Sequence, residues 1–206
     1  MARELGVRKL TAFNLNETGT YGEAIPLKNC VSLKTSNNYK DIEYYSDCTT
    51  EKSTSVLQTV EVEIVMSSNM GLKLLAQLTG LEYSNGKMAG VIGDVIPQFA
   101  LAYEVVMDDN TTRRRVLYNC NLRKEEQSNE SESEGEEWTF TGKSLPVEIE
   151  GKQYVDLWMS EVEINAISDQ EIKEKYLAEY NGFFEKVIMP GEPVGLVEKI
   201  ELTKVE

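Results

Sequence analysis

The side chains that give this sequence its chemical character are carboxylates, several of which alternate with aliphatic residues. The pattern occurs in Val60-Glu61-Val62-Glu63-Ile64, in Val147-Glu148-Ile149-Glu150 and in Glu161-Val162-Glu163-Ile164. Two carboxylates that flank a sugar can hydrolyse a glycosidic bond. Here, however, the carboxylates repeat along the chain and do not converge, which indicates a surface and not a catalytic pair.

Other catalytic groups are scarce. The 206 residues include no histidine, which removes the usual general base and the commonest metal ligand. Cys30, Cys48 and Cys120 are scattered without a CxxC spacing, and small packed thiols in a reducing compartment are the interpretation we favour. No Walker loop, dinucleotide fingerprint or nucleophile elbow is present. We therefore predict a protein that is not an enzyme and needs no cofactor.

A polar stretch near residue 45 holds the acidic residues Asp41, Glu43, Asp47 and Glu51. A calcium site needs several oxygen ligands that converge at a fixed geometry, and no EF-hand spacing occurs here. The acidic run at 130–137 is typical of a solvated loop. We predict no metal site in either segment.

The overall charge restricts the partners. There are 35 acidic and 21 basic residues, a net charge of −14, which argues against electrostatic binding of nucleic acid. The one basic cluster, Arg113-Arg114-Arg115, forms no continuous stripe, because alternate residues of a strand point to opposite faces. We interpret it as protection of an edge strand or as a partner for carboxylates across a subunit contact. We expect no signal peptide and no membrane association.

Strand signals dominate the chain. Alternation predicts strands at 7–15, 29–35, 41–45, 56–66, 98–107, 112–121, 138–150 and 153–165. A helix is predicted at 69–79, capped by Ser68 or Asn69 and ended by Gly80. The capping box Ser168-Asp169-Gln170-Glu171 opens a second short helix that runs to about Tyr180. The prediction is a mainly β sandwich or barrel with two helices at its margin, in a domain over 1–182, followed by a C-terminal arm over 183–206.

The order of these segments resembles the major tail protein, or tail tube protein, of long-tailed phages and prophages of Gram-positive bacteria. The resemblance covers roughly residues 5–190. The segments that carry it are Tyr44-Tyr45-Ser46-Asp47, the strand at 60–66, the leucine-rich helix at 72–80, and the strands at 99–103, 114–122 and 138–143.

The resemblance implies a β-sandwich with a flanking helix that assembles into rings, typically hexameric, which stack into a hollow tube. The implied partners are other copies of the chain and the tape measure, tail terminator and baseplate proteins of a phage. The implied location is the tail of a virion, after synthesis in the cytoplasm of the bacterial host. DNA is expected to pass through the tube without specific binding.

An acidic lumen fits that role, because carboxylates repel the phosphates of passing DNA whereas lysine and arginine would hold them. Glu61 and Glu63 are the first candidates for lumen-facing residues, since their strand alternates most cleanly. The second candidates are Glu148, Glu150, Glu161 and Glu163.

The polar stretch at 39–54 is longer than a hairpin turn needs, and we interpret it as a loop that contacts the adjacent ring. Its candidate contact residues are Asp41, Tyr44, Tyr45, Asp47, Glu51 and Lys52. A plain surface loop is the alternative, and the C-terminal arm is the second candidate for the stacking contact.

Three other functions remain open on the sequence. The first is the inner tube of a contractile tail or of a tail-derived injection system, which would carry protein. The second is a monomeric acidic β-sandwich that binds a partner. The third is a glycosidase with carboxylates beside Trp138 or Trp158, which the spacing of these residues does not support.

Overall fold

The computed structural model describes residues 2–46, 49–125 and 136–191. As predicted, the protein is mainly β. Its strands are β1 (Glu4–Leu15), β2 (Tyr21–Pro26), β3 (Cys30–Ser46), β4 (Thr49–Ser67), β5 (Glu82–Ser84), β6 (Lys87–Ala89), β7 (Phe99–Met107), β8 (Thr112–Lys124), β9 (Glu137–Ser144), β10 (Val147–Ile149), β11 (Lys152–Tyr154) and β12 (Asp156–Ser160). Its helices are α1 (Leu72–Thr79), α2 (Glu161–Asn165) and α3 (Gln170–Asn181).

The strands form one large antiparallel sheet in the order β2-β1-β7-β8-β9-β4-β3, with β12 paired to the first half of β8. The sheet rolls up around an apolar core, since strands far apart in this order meet on its inner side. Thr35 of β3, for example, accepts a hydrogen bond from Arg115 of β8 at 2.9 Å. Val60, Val62 and Ile64 point into this core and are almost fully buried, as their alternation predicts.

Helix α1 closes one end of the rolled sheet. Leu75 and Leu78 are 4% and 2% exposed and join the core, whereas Leu72, predicted to pack in the same way, is 43% exposed. The helix ends at Gly80 with φ 78°, the left-handed cap that the sequence predicts. Its N-cap is Gly71 and not Ser68 or Asn69.

A second core lies on the outer side of β1, β7 and β8, where α2, α3 and the chain up to Ile188 cover the sheet. Phe13, Tyr118 and Phe183 are its largest buried side chains, and the Tyr118 hydroxyl donates to the Ile188 carbonyl at 2.7 Å. Asp169 caps α3 by accepting from two backbone amides. Residues 183–188 thus pack on the chain's own sheet, and the last part of the predicted arm, 192–206, lies outside the described residues.

The strand predictions at 29–35 and 41–45 are the two ends of one continuous strand, β3, and β4 begins in the stretch predicted as a loop. The predicted strand at 153–165 is wrong in its second half, which is helix α2. Across the described ranges, no helix combines the length and apolar character that a membrane span requires.

Replacing Leu75 by Ala should lower the free energy of unfolding by about 2–5 kcal/mol, because it leaves a cavity where α1 meets the core. Denaturant unfolding followed by circular dichroism measures this change. The exposed Leu72→Ala variant is the matched control and should lose far less. Equal losses at the two positions would contradict the packing described for α1.

Candidate functional site

Among the residues that the structure describes, no helix covers the outer face of the second half of β8 and of β9, β4 and β3, and this face carries polar side chains. Strand register sets these side chains in rows that cross the four strands. One row consists of Asn121, Lys143, Glu61 and Ser36, and the next consists of Arg123, Thr141, Glu63 and Lys34. We call these two rows the polar face.

Opposite charges stand side by side on the polar face. The Lys143 ammonium lies 3.6 Å from the Glu61 carboxylate, and Lys34 is the cross-strand partner of Glu63. Arg123 adds a third cation, so these rows hold three cations and two carboxylates. The face therefore differs from the acidic surface that the alternating carboxylates predict. Exposed pairs of this kind contribute little to stability and are screened by salt.

Between the two rows, β9 requires a glycine at position 142, whose cross-strand partners Val62 and Leu122 face the core. A Cβ atom added to Gly142 would lie 1.7 Å from the carbonyl oxygen of Asn121 on the neighbouring strand. No side chain tolerates that distance, so only glycine lets β8 and β9 approach as closely as they do. The close approach keeps the face continuous across its four strands.

Beyond the polar face, β3 and β4 continue as a two-stranded arm. The two strands pair as far as Ser46↔Thr49, whereas β9 accompanies β4 only over Val60–Ser67. The predicted stacking loop is therefore the outer half of a long hairpin. The Asp41 carboxylate accepts a hydrogen bond from Ser55 at 2.6 Å across the arm.

The other stacking candidates are less fully described. For Tyr44, Tyr45, Glu51 and Lys52 the structure gives the backbone strands, and Asp47 lies outside the described residues. Among the residues that the structure does describe, no cluster of three carboxylates or thiols is placed to hold a metal ion.

The second set of lumen candidates lies on other elements than Glu61 and Glu63. Glu148 is exposed on the short strand β10, and Glu150 has φ 51° in the turn that it forms with Gly151. Both residues of that two-residue hairpin turn have positive φ, as type I′ turns require. The strand breaks before β10 because Pro146 has no N–H to donate.

Glu161 and Glu163 belong to helix α2, so the predicted strand alternation does not apply to them. The Glu161 carboxylate accepts hydrogen bonds from the backbone amide of Thr112 at 3.1 Å and from its hydroxyl at 2.9 Å. This role is structural, since it fixes α2 to the start of β8. Which of the six glutamates faces a lumen stays a prediction.

Sequence reasoning missed a buried carboxylate. Glu104 on β7 is 1% exposed and is contacted by Arg8 at 2.6 Å, Arg114 at 2.8 Å and Lys9 at 3.3 Å. Burial would raise the pKa of Glu104, but the hydrogen bonds from Arg8 and Arg114 outweigh it and hold the pKa below its usual value. A lone glutamate in the apolar run of β7 was the signal in the sequence.

The arginine cluster is satisfied within the chain. Arg114 binds Glu104 and stacks on Tyr180, with its guanidinium carbon 4.0 Å from the ring centre. On the opposite side of the sheet, Arg115 contacts Asp156 at 2.6 Å. Because β8 is an interior strand, the predicted role in edge protection is wrong, and these two arginines pair with carboxylates of their own chain.

No protein-family profile and no curated protein matches this chain. Three electron cryo-microscopy structures are similar to it, each with a TM-score of 0.43. The PVC sheath–tube complex of an extracellular contractile injection system, in its extended state, is 9% identical over 74% of this chain and 88% of that chain. The tube-terminating cap of the anti-feeding prophage is 9% identical over 78% and 95%, and its baseplate is 6% identical over 77% and 97%.

Replacing Glu104 by Gln should lower the free energy of unfolding at neutral pH by about 3–5 kcal/mol, because it leaves the guanidinium of Arg114, which is only 11% exposed, without its carboxylate. The pKa of Glu104 is lower in the folded chain than in the unfolded chain. Its ionised form therefore stabilises the fold above the unfolded-state pKa, and this contribution is lost as the pH falls through the folded-state pKa.

Urea unfolding of Glu104→Gln and the parent, measured from pH 7 down to pH 3, should show a difference that shrinks with acidity. The exposed Glu61→Gln variant is the control and should differ little from the parent at any pH. A difference for Glu104→Gln that stays constant over this range would contradict the ion-paired state of the carboxylate.

Proposed function

We propose that this chain is a structural subunit that assembles into stacked rings and forms the hollow tube of a phage-tail-like particle. The observation that carries the proposal is the open edge of β3 beside the polar face. β3 pairs with β4 on one side, and within the described ranges no strand continues the ladder on the other side.

An open strand of this length is unusual for a chain that stays monomeric. β3 has 17 residues, and Val31 and Tyr39 on it are more than half exposed. Proteins ordinarily cover, shorten or charge such edges, because free N–H and C=O groups recruit other strands. Pairing with the next subunit satisfies these groups and removes the edge.

Pairing at the β3 edge also gives the polar face a role. Each subunit contributes the four strands β8, β9, β4 and β3. Their inner side is buried in the core, and their outer side is exposed to solvent. Repeated around a ring, these strands make a closed wall with a polar surface. In this arrangement Glu61 and Glu63 line the lumen, together with Lys34, Arg123 and Lys143.

The charges on the polar face bear on what passes through the tube. A conduit for DNA is expected to avoid cations on its wall, since lysine and arginine displace counterions and bind phosphates. Three cations stand among the two glutamates here. This mixture favours the inner tube of a contractile tail or injection system over the DNA conduit of a non-contractile tail. Baseplate and terminator proteins are the partners that either tube requires.

The arm of β3 and β4 is the proposed contact between rings. Deleting residues 47–53 should leave a folded, soluble protein, because no described residue of this segment belongs to either core. Negative-stain microscopy should then show rings or short stacks in place of long tubes, while the melting temperature stays that of the parent. Tubes of normal length from the deletion variant would place the stacking contact elsewhere, with the C-terminal arm the next candidate.

Assembly and the direction of the polar face are tested together on tubes of the purified protein. In tubes, the cysteine of the Glu63→Cys variant should react with a small maleimide but not with a 5-kDa polyethylene-glycol maleimide. In the monomer, the same cysteine should react with both reagents. Glu171→Cys, on the outward side of α3, is the control and should accept both reagents in tubes. Reaction of position 63 with the bulky reagent in intact tubes would put the polar face outside.

A discrete monomer at every concentration would instead favour the alternative of a monomeric binding module. Microscopy of complete particles separates the two kinds of tube, since a sheath surrounds the tube in a contractile system.

A further inference from the structure

The turn between β6 and β7 exposes an apolar tip. Ile92 is fully exposed, Val95 is 82% exposed and Val91 is 51% exposed. These residues are adjacent in the chain, and together they form a compact apolar projection that we call the 91–95 turn. Contiguous exposed apolar residues of this kind mark interaction sites in soluble proteins.

The 91–95 turn is a closed turn and not a loose loop. The Asp94 amide donates to the Val91 carbonyl at 3.0 Å, and the Val91 amide donates to the Asp94 carboxylate at 2.7 Å. Gly93 has φ 105°, which a residue with a side chain rarely adopts, and it places Ile92 at the apex. The turn therefore holds Ile92 in one position before any partner arrives, which lowers the entropic cost of docking.

An apolar groove lies beside β12, at the other end of the molecule. It is lined by Met159, Ile164, Ile167, Tyr176, Ile188 and Met189. Met159 and Ile164 form a buried floor, and Met189 on the rim is 38% exposed. We call this feature the β12 groove.

The turn and the groove are too far apart to meet within one chain. The groove adjoins the start of β8, where Met159 pairs with Arg114, and the segment that follows the turn packs at the end of β8 beside Leu122. Eight residues of extended strand separate these points, which is about 27 Å. A contact between the two features therefore joins two copies head to tail, and such a heterologous contact repeats into a ring or a filament.

Charge favours the same pairing. The carboxylates of Glu163 and Glu179 lie on the groove lining. The exposed Lys87 belongs to β6, just before the turn, and the exposed Lys73 lies on α1, which packs against β6. The one carboxylate within the turn, that of Asp94, accepts a hydrogen bond from the Val91 amide. We propose that the 91–95 turn of one copy inserts into the β12 groove of a neighbouring copy, with these lysines near the groove carboxylates. The proposal rests on the assembly proposed above and names a contact within it.

Cross-linking of two cysteine variants tests the contact directly. A mixture of full-length Ile92→Cys and Ile167→Cys chains should form a disulfide-linked dimer under mild oxidation, whereas each variant alone should give only the background that the native cysteines produce in the parent. A dimer from Ile92→Cys alone would show tip-to-tip pairing and overturn the proposal. Tubes without a dimer in the mixture would overturn this contact and leave the tube function standing. Absence of any assembly would overturn both.

The chain itself offers another occupant of the groove, because residues 192–206 follow Gly191 on the groove lining. If the mixed dimer forms only after truncation behind Gly191, the chain's own C-terminus fills the groove and the proposal is wrong.

Substitutions at the tip give a second measure. Ile92→Glu should raise the concentration at which the protein assembles by about tenfold or more, because it removes the apolar tip and adds a charge that Glu163 and Glu179 repel. Ile92→Lys should be clearly less harmful, and Leu5→Glu, at another exposed apolar residue, should match the parent. Equal effects of Glu and Lys at position 92 would overturn the pairing with the acidic groove.

Discussion

The structure depends on a mismatch between the two sides of one rolled sheet. The inner side is largely apolar and fills the main core, whereas apolar cover exists for only part of the outer side. Helices α2 and α3 and the chain up to Ile188 bury β1, β7 and the first half of β8, and within the described ranges no comparable element covers β9, β4 and β3. The uncovered part must be polar to remain stable in water, and it is there that the sheet also ends in an open edge.

Buried charges hold the covered part of the sheet in register with the rest. Glu104 joins β7 to β1 and β8 through three cations, and Arg115 joins β8 to β12 and to Thr35 of β3. Burying charges costs desolvation energy, so these pairs need not add net stability. Their geometry does discourage other registers, because a shift of one residue would leave a charge buried without its partner. The arm of β3 and β4 therefore extends from a sheet whose strand register is well defined.

Local patterns predicted much of this fold. The sequence of each strand was enough to predict the buried face of β4 and the hairpin of β7 and β8. Gly80 ends α1 and Asp169 begins α3, as the capping preferences of these residue types predict. Two errors have one cause, since both segments were interpreted from local sequence alone: Glu161–Asn165 from its alternation and the stretch around residue 50 from its polarity. In the first, hydrogen bonds from Thr112, 49 residues away, support a helix. In the second, pairing with β3 extends a strand through residues that would otherwise form a loop.

The site itself was less predictable, because its character depends on neighbouring strands. Glu61 and Glu63 identify an acidic strand, but Lys34 and Lys143 reach them only through the register of β3 and β9. A single sequence does not fix that register, so the presence of cations beside Glu61 and Glu63 on the polar face could not be predicted. The ion pairs of the arginine cluster were hidden for the same reason, since Glu104 lies on another strand.

The central claim is that the open edge of β3 becomes an interior part of a continuous wall. Hydrogen–deuterium exchange, compared between the monomer and the assembled tube, tests it most directly. Amides that point away from β4 along residues 30–39 should exchange quickly in the monomer and become strongly protected in the tube, while those bonded to β4 change little. Tubes in which the outward amides of β3 still exchange as fast as in the monomer would contradict the account.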